Sequence, residues 1–205
     1  MRAWLAVCAL LGGGSVAVAW ASGMVSPVQA LTAHPLAWDA EHWLQRPWTL
    51  WTSAWVHTSG GSLLGNLLAL TGLAVLGAAL GAGRASAGAL ALAWPLATLA
   101  LLLWPDVASY AGLGGPIHAA AAVLGVHALL RHPALKTLAF LLFGAMGLKL
   151  LAERGWSQPV AFDPSWGFNV VFAAHLTGMV CGALCAWAAE VLVRQPAPAP
   201  HGGRS

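Results

Sequence analysis

YAGLGGPIHAA, residues 110–120, is the stretch on which the fold turns, because a short polar connection there runs into an apolar helix through Gly112, Gly114, Gly115 and Pro116. Glycines let a backbone come close to another group, and Pro116 suits the first turn of a helix, where a missing N–H costs little. Irregular backbone at membrane depth persists only where it is buried in protein or lines a cavity. The stretch is therefore expected to present a ligand or a reacting group at the end of a membrane helix.

The sequence on either side makes the setting a bilayer. The 205 residues are 59% hydrophobic and only 7% charged, whereas a soluble domain carries about a quarter charged residues. Six apolar stretches, 3–22, 57–80, 89–104, 115–130, 134–152 and 168–193, are candidate spans separated by Gly, Pro and charged residues. The expected fold is an all-α membrane protein, one domain over residues 1–195 built as a six-helix bundle. Residues 24–56, with Trp38, Trp43, Trp48, Trp51 and Trp55, read as a loop half sunk in the headgroup region. Residues 196–205, Pro/Gly-rich and polar, read as a disordered tail. Ala-Trp-Ala near residue 20 also fits a signal-peptide cleavage site, but the preceding apolar run exceeds a usual signal core and reads as a retained span.

Charge placement gives an orientation. Arg2, Arg84, Arg131, Lys136, Arg194 and Arg204 fall on one side, with Glu190, and Arg46, Lys149 and Arg154 on the other, with five acids. Basic residues favour the cytoplasm, so both termini are expected inside and the Trp-rich loop outside. A net charge of +3 spread over segment ends gives no footprint for nucleic acid. Cys8, Cys181 and Cys185 lie within apolar runs and read as packing residues.

Polar side chains inside spans are costly and usually face the protein interior. His57, Asn66, His118 and His175 all fall in the outer halves of their spans, with Asn66 about 14 Å of helix below His57. Each alone could be an interhelical hydrogen-bonding residue; their common depth suggests a site reached by water from outside. Gly115, Ala119 and Ala122 on one span, and Gly178, Gly182 and Ala186 on another, form small-xxx-small faces that let two helices close together. Three histidines can hold zinc, but no close-spaced ligand pair and no in-span carboxylate joins these. Neither a metal nor a cofactor is therefore expected.

In this order, HTSGGSLLGN at 57–66, GLGG at 112–115 and AHLTGMVCG at 174–182 resemble the rhomboid family of intramembrane serine proteases. GLGGPIH further resembles its rhombosortase branch, whose motif is GLSG followed shortly by His. The resemblance spans residues 3–193 and implies a six-helix rhomboid-like bundle in a bacterial inner membrane, its site facing the periplasm. It implies peptide-bond hydrolysis by a Ser-His dyad acting on transmembrane substrates, including surface proteins with Gly-Gly-type C-terminal sorting signals. It assigns His175 as general base, His57, Asn66 and Ser62 to the oxyanion region, and Gly112 and Gly115 as motif glycines, with His118 lining the site.

The family's nucleophile position holds Gly114. Acyl transfer needs an oxygen or sulfur nucleophile within reach of its base, and glycine supplies none. Ser62 also stands where the family often has another histidine. No motif places Ser59, Ser62, Ser109 or Cys181 as a replacement. Three functions remain open: a rhomboid-type endopeptidase that is inactive or impaired as written, a pseudoprotease that binds or escorts transmembrane clients, and a small polytopic transporter.

Overall fold

In the computed structural model, residues 1–25 and 31–194 are described; the tail expected over 196–205 lies outside them. Six long helices occupy the six apolar stretches: α1 (Arg2–Ser22), α3 (Gly60–Ala79), α4 (Arg84–Leu99), α5 (Gly114–Arg131), α6 (Lys136–Glu153) and α7 (Phe172–Arg194), with a one-turn α2 (Thr49–Thr52) in the first loop. Five helical segments, Arg2–Ser22, Gly60–Ala79, Arg84–Leu103, Pro133–Glu153 and Phe172–Leu192, are long and apolar enough to cross a membrane. The molecule is thus a mostly helical membrane protein.

α5 is the exception, and its place explains its composition. Nearly every residue from Gly115 to Ala128 is buried, and α3, α4, α6 and α7 all pack against it. A helix sheathed by protein on all sides needs small residues rather than long aliphatic ones, hence Ala119 to Ala122 where its neighbours carry Leu and Phe. The outer helices show the reverse. Leu5, Leu10 and Val16 of α1, Leu64, Leu68 and Val75 of α3, and Phe140, Leu141 and Leu148 of α6 are exposed, an apolar belt too broad for a soluble monomer.

Local chemistry sets the helix ends. Ser59, in extended conformation, caps α3 by accepting a hydrogen bond from the Ser62 N–H at 3.1 Å. At the other end Gly81 has φ +67°, and the bonds Gly81 N–H to Ala78 O and Ala82 N–H to Gly77 O close the helix in the paired pattern that a left-handed residue permits. The small-residue faces of α5 and α7 meet in register. A Cβ on Gly182 would lie 2.5 Å from the Ala119 oxygen, and one on Gly178 would lie 3.0 Å from Gly115 Cα.

Several expectations need correction. The Trp-rich loop is structured: Trp38 and Asp39 form β1, pairing antiparallel with β2 (Ser109–Tyr110), and residues 53–55 make a 3-10 turn after α2. Trp38 is wholly buried in protein, while Trp48 and Trp51 are exposed. The last span starts at Phe172 rather than 168, because Phe168–Val171 forms β4, paired antiparallel with β3 (Val160–Asp163). This hairpin occupies the connection expected to be plain turn; its Val and Phe residues favour extended backbone.

At the end of the bundle away from Gly114, Glu190 of α7 is buried and accepts hydrogen bonds from Arg131 Nε and, at 3.0 Å, from His127 Nδ1. His127 Nε2 and His132 Nε2 both reach the Leu80 carbonyl, at 3.2 and 2.8 Å. The cluster ties α5 and α7 to the end of α3.

Candidate active site

The Tyr110–Ala120 stretch is held by its own side chains. Gly112 has φ +112°, a conformation suited to glycine, and its N–H donates to the Ser53 carbonyl at 2.9 Å. The buried Tyr110 hydroxyl donates to Gly112 O at 2.8 Å and accepts the Gly115 N–H at 2.9 Å. One phenol therefore fastens the loop to the first turn of α5 and satisfies an N–H that the helix leaves free. The strand pairs Trp38 with Tyr110 and Asp39 with Ser109 anchor the loop to the first connection.

A cavity of about 450 Å³ opens beside this turn, within the range of small-ligand and peptide side-chain sites. His57, Ser62 and Asn66 line one wall, Gly112, Gly114, His118 and His175 another, and Trp166 and Phe168 of the hairpin a third. Of the site residues that the resemblance assigns, Gly115 alone lies off the lining; it is buried against Ala174 O and the Tyr110 hydroxyl.

Gly114 faces His175. A Cβ built on it would lie 2.8 Å from His175 Nε2 and 3.0 Å from Cδ2. Any side chain at 114 would thus contact that nitrogen once the ring drew back by a few tenths of an ångström. His175 Nδ1 lies 2.8 Å from Glu153 Oε2, and Lys149 Nζ binds the other oxygen of the same carboxylate. An ionised carboxylate only accepts, so Nδ1 carries a proton, and in the neutral ring Nε2 then presents its lone pair toward Gly114. The His118 ring stacks on that of His175, centroids 4.3 Å apart and planes within 17°. Its Nδ1 donates to the Gly114 carbonyl at 2.7 Å.

The opposite wall has an internal order that the sequence did not reveal. Asn66 Nδ2 donates to His57 Nε2 at 3.3 Å, while His57 Nδ1 donates to the Trp55 carbonyl at 3.3 Å. Burial pushes His57 below its ordinary value of 6.5, which favours this neutral form. His57 then has no N–H to spare, so the amide of Asn66 is the donor on this wall and His57 its support. The 14 Å of helix expected between them does not exist, because residues 57–59 precede α3 and fold back along it. Ser62 donates its hydroxyl to the Ser59 carbonyl at 2.9 Å.

Glu153 is the functional candidate that sequence reading missed, and it corrects the expectation that no carboxylate joins the histidines. In the sequence it stands among the acids of the outer connections, 22 residues from its partner. It is in fact the last residue of α6. Gly155 lets the chain there press against the start of α7, where an added Cβ would sit 2.6 Å from the Phe172 oxygen. Among the described residues no three His, Cys, Asp or Glu side chains are grouped to hold a metal ion. The chain matches no protein-family model, and no match is found among curated proteins.

Proposed function

We propose that this cavity is a rhomboid-type peptidase site without its nucleophile, which receives a segment of a membrane-embedded polypeptide and holds it uncut. The observation that carries the reading is the direction of position 114: its missing Cβ points at the lone pair of His175 Nε2, the relation a nucleophile and its base require. The order of HTSGGSLLGN, GLGGPIH and AHLTGMVCG along the chain supports it. So does the Asn66 amide across the cavity, a donor of the type that stabilises a developing oxyanion. With glycine at 114 no acyl-enzyme forms, and the remaining function is binding. In this reading the six helices span a bacterial inner membrane with both ends cytoplasmic. Arg2, Arg84, Arg131 and Lys136 lie at helix ends remote from the cavity, which opens toward the periplasm.

The test is one substitution. Gly114→Ser, purified in detergent and reconstituted in liposomes, should react with a fluorophosphonate probe and cleave a reporter carrying a transmembrane segment. The starting protein and the Gly114→Ser/His175→Ala double variant should do neither. A folded Gly114→Ser protein that neither labels nor cleaves refutes the assignment of the dyad positions.

A further inference from the structure

We propose that Glu153 is the positioning carboxylate of this site, fixing the His175 ring so that Nε2 faces residue 114. The inference rests on reading the cavity as a peptidase site, and it turns the expected pair of residues into a row of three: position 114, His175, Glu153. The carboxylate reaches across from α6 to α7, with Oε2 2.8 Å from Nδ1, and both side chains are about nine-tenths buried. Lys149, one turn earlier on α6, binds the second oxygen and keeps the carboxylate an acceptor. His118 covers one face of the same ring. The imidazole is therefore restrained at one nitrogen and one face, and the edge left free is the one turned to Gly114. A bond that merely fastened α6 to α7 would need the same Nδ1–H, so the readout that separates the two roles is reaction at residue 114, which the Nε2–H form cannot assist because it has no lone pair there.

The deciding experiment reads the ring itself in the full-length protein. With ¹⁵N-labelled histidine in detergent micelles, and His175 assigned by loss of its signals in His175→Gln, the starting protein should show a protonated Nδ1 and a bare Nε2. Glu153→Gln preserves side-chain size but offers an amide that can donate, and it should populate the Nε2–H tautomer. Glu153→Asp should restore much of the original pattern. In the Gly114→Ser background, Glu153→Gln should slow probe labelling by about 10²-fold or more, the scale of a misheld base. An unchanged tautomer in folded Glu153→Gln, or unchanged labelling in that background, overturns the role of Glu153 and leaves the peptidase reading standing. A tautomer that responds while Gly114→Ser stays inert shows only that Glu153 sets the ring, and it sinks the peptidase reading and the positioning of a base together.

Discussion

Replacing Gly182 by alanine tests whether the α5–α7 contact holds the site together. The new methyl would sit 2.5 Å from the Ala119 oxygen and 2.7 Å from its Cα, both backbone atoms that cannot rotate away. Reaching ordinary contact at 3.4 Å requires the two helices to part by 0.9 Å at that level. Overpacking of this kind costs about 1–3 kcal/mol, partly offset by alanine's helix preference of roughly 1 kcal/mol over glycine. A net loss of up to about 2 kcal/mol lowers the melting temperature of a chain this size by up to roughly 8 °C. Gly72→Ala on α3, where nothing lies within 4 Å of the new Cβ, is the matched control and should leave Tm unchanged or raise it. Thermal unfolding in detergent, followed by circular dichroism, reads both. In the Gly114→Ser background the same 0.9 Å displacement, one residue from His118, should also cost probe labelling up to about 10²-fold. A Gly182→Ala protein as stable as the Gly72→Ala control would mean that the helices are not in backbone contact, and the placement of Gly114 against His175 would fall with it.

Three further expectations follow from the same structure. Tyr110→Phe removes the hydroxyl shared by Gly112 O and the Gly115 N–H, and should cost about 1–3 kcal/mol; limited proteolysis around residues 110–113 should accelerate, and equal protection would refute the fastening role. Glu190→Ala removes the buried carboxylate that pairs with His127 and with the more exposed Arg131, and should destabilise by about 1–3 kcal/mol, measured as a fall in Tm. Asp39 is pushed up by burial but more strongly down by hydrogen bonds from the His42 ring and from the His42 and Glu41 N–H groups, leaving it below its ordinary 3.8. A carboxyl with a lowered folded value contributes stability above its unfolded value and loses it as pH falls through the folded one. Melting temperature should therefore drop more steeply below about pH 4 in the starting protein than in Asp39→Asn; parallel curves would contradict this.

Helix positions were legible because the apolar runs are long and the breaks between them carry Gly, Pro and charge. The capacity of α5 and α7 for close approach was legible too, since Gly115 and Ala119 repeat at the same spacing as Gly178 and Gly182, but their register was not. What escaped was long-range or depended on where a helix begins. The His57–Asn66 bond is not legible in the spacing, because helical rise does not hold for residues that Ser59 keeps outside the helix. Glu153 looked like a loop charge because nothing local connects it with His175, and only the close approach at Gly155 brings them together. The β3–β4 hairpin was hidden by Pro164 and Trp166 in its turn, which read as simple breakers.

The sheathed position of α5 has a consequence for how the chain enters the bilayer. Its 18 residues hold three glycines, two histidines and a proline, and it is absent from the segments apolar enough to cross alone. By length and composition it is less suited to the bilayer than the five segments that are long and apolar enough to cross. Only four residues link it to α6, whose face carries Phe140, Leu141 and Leu148. The pair can enter as a hairpin, with the apolar partner carrying the polar one. The helix that bears Gly114 and His118 thus depends during biogenesis on neighbours that meet the lipid in its stead.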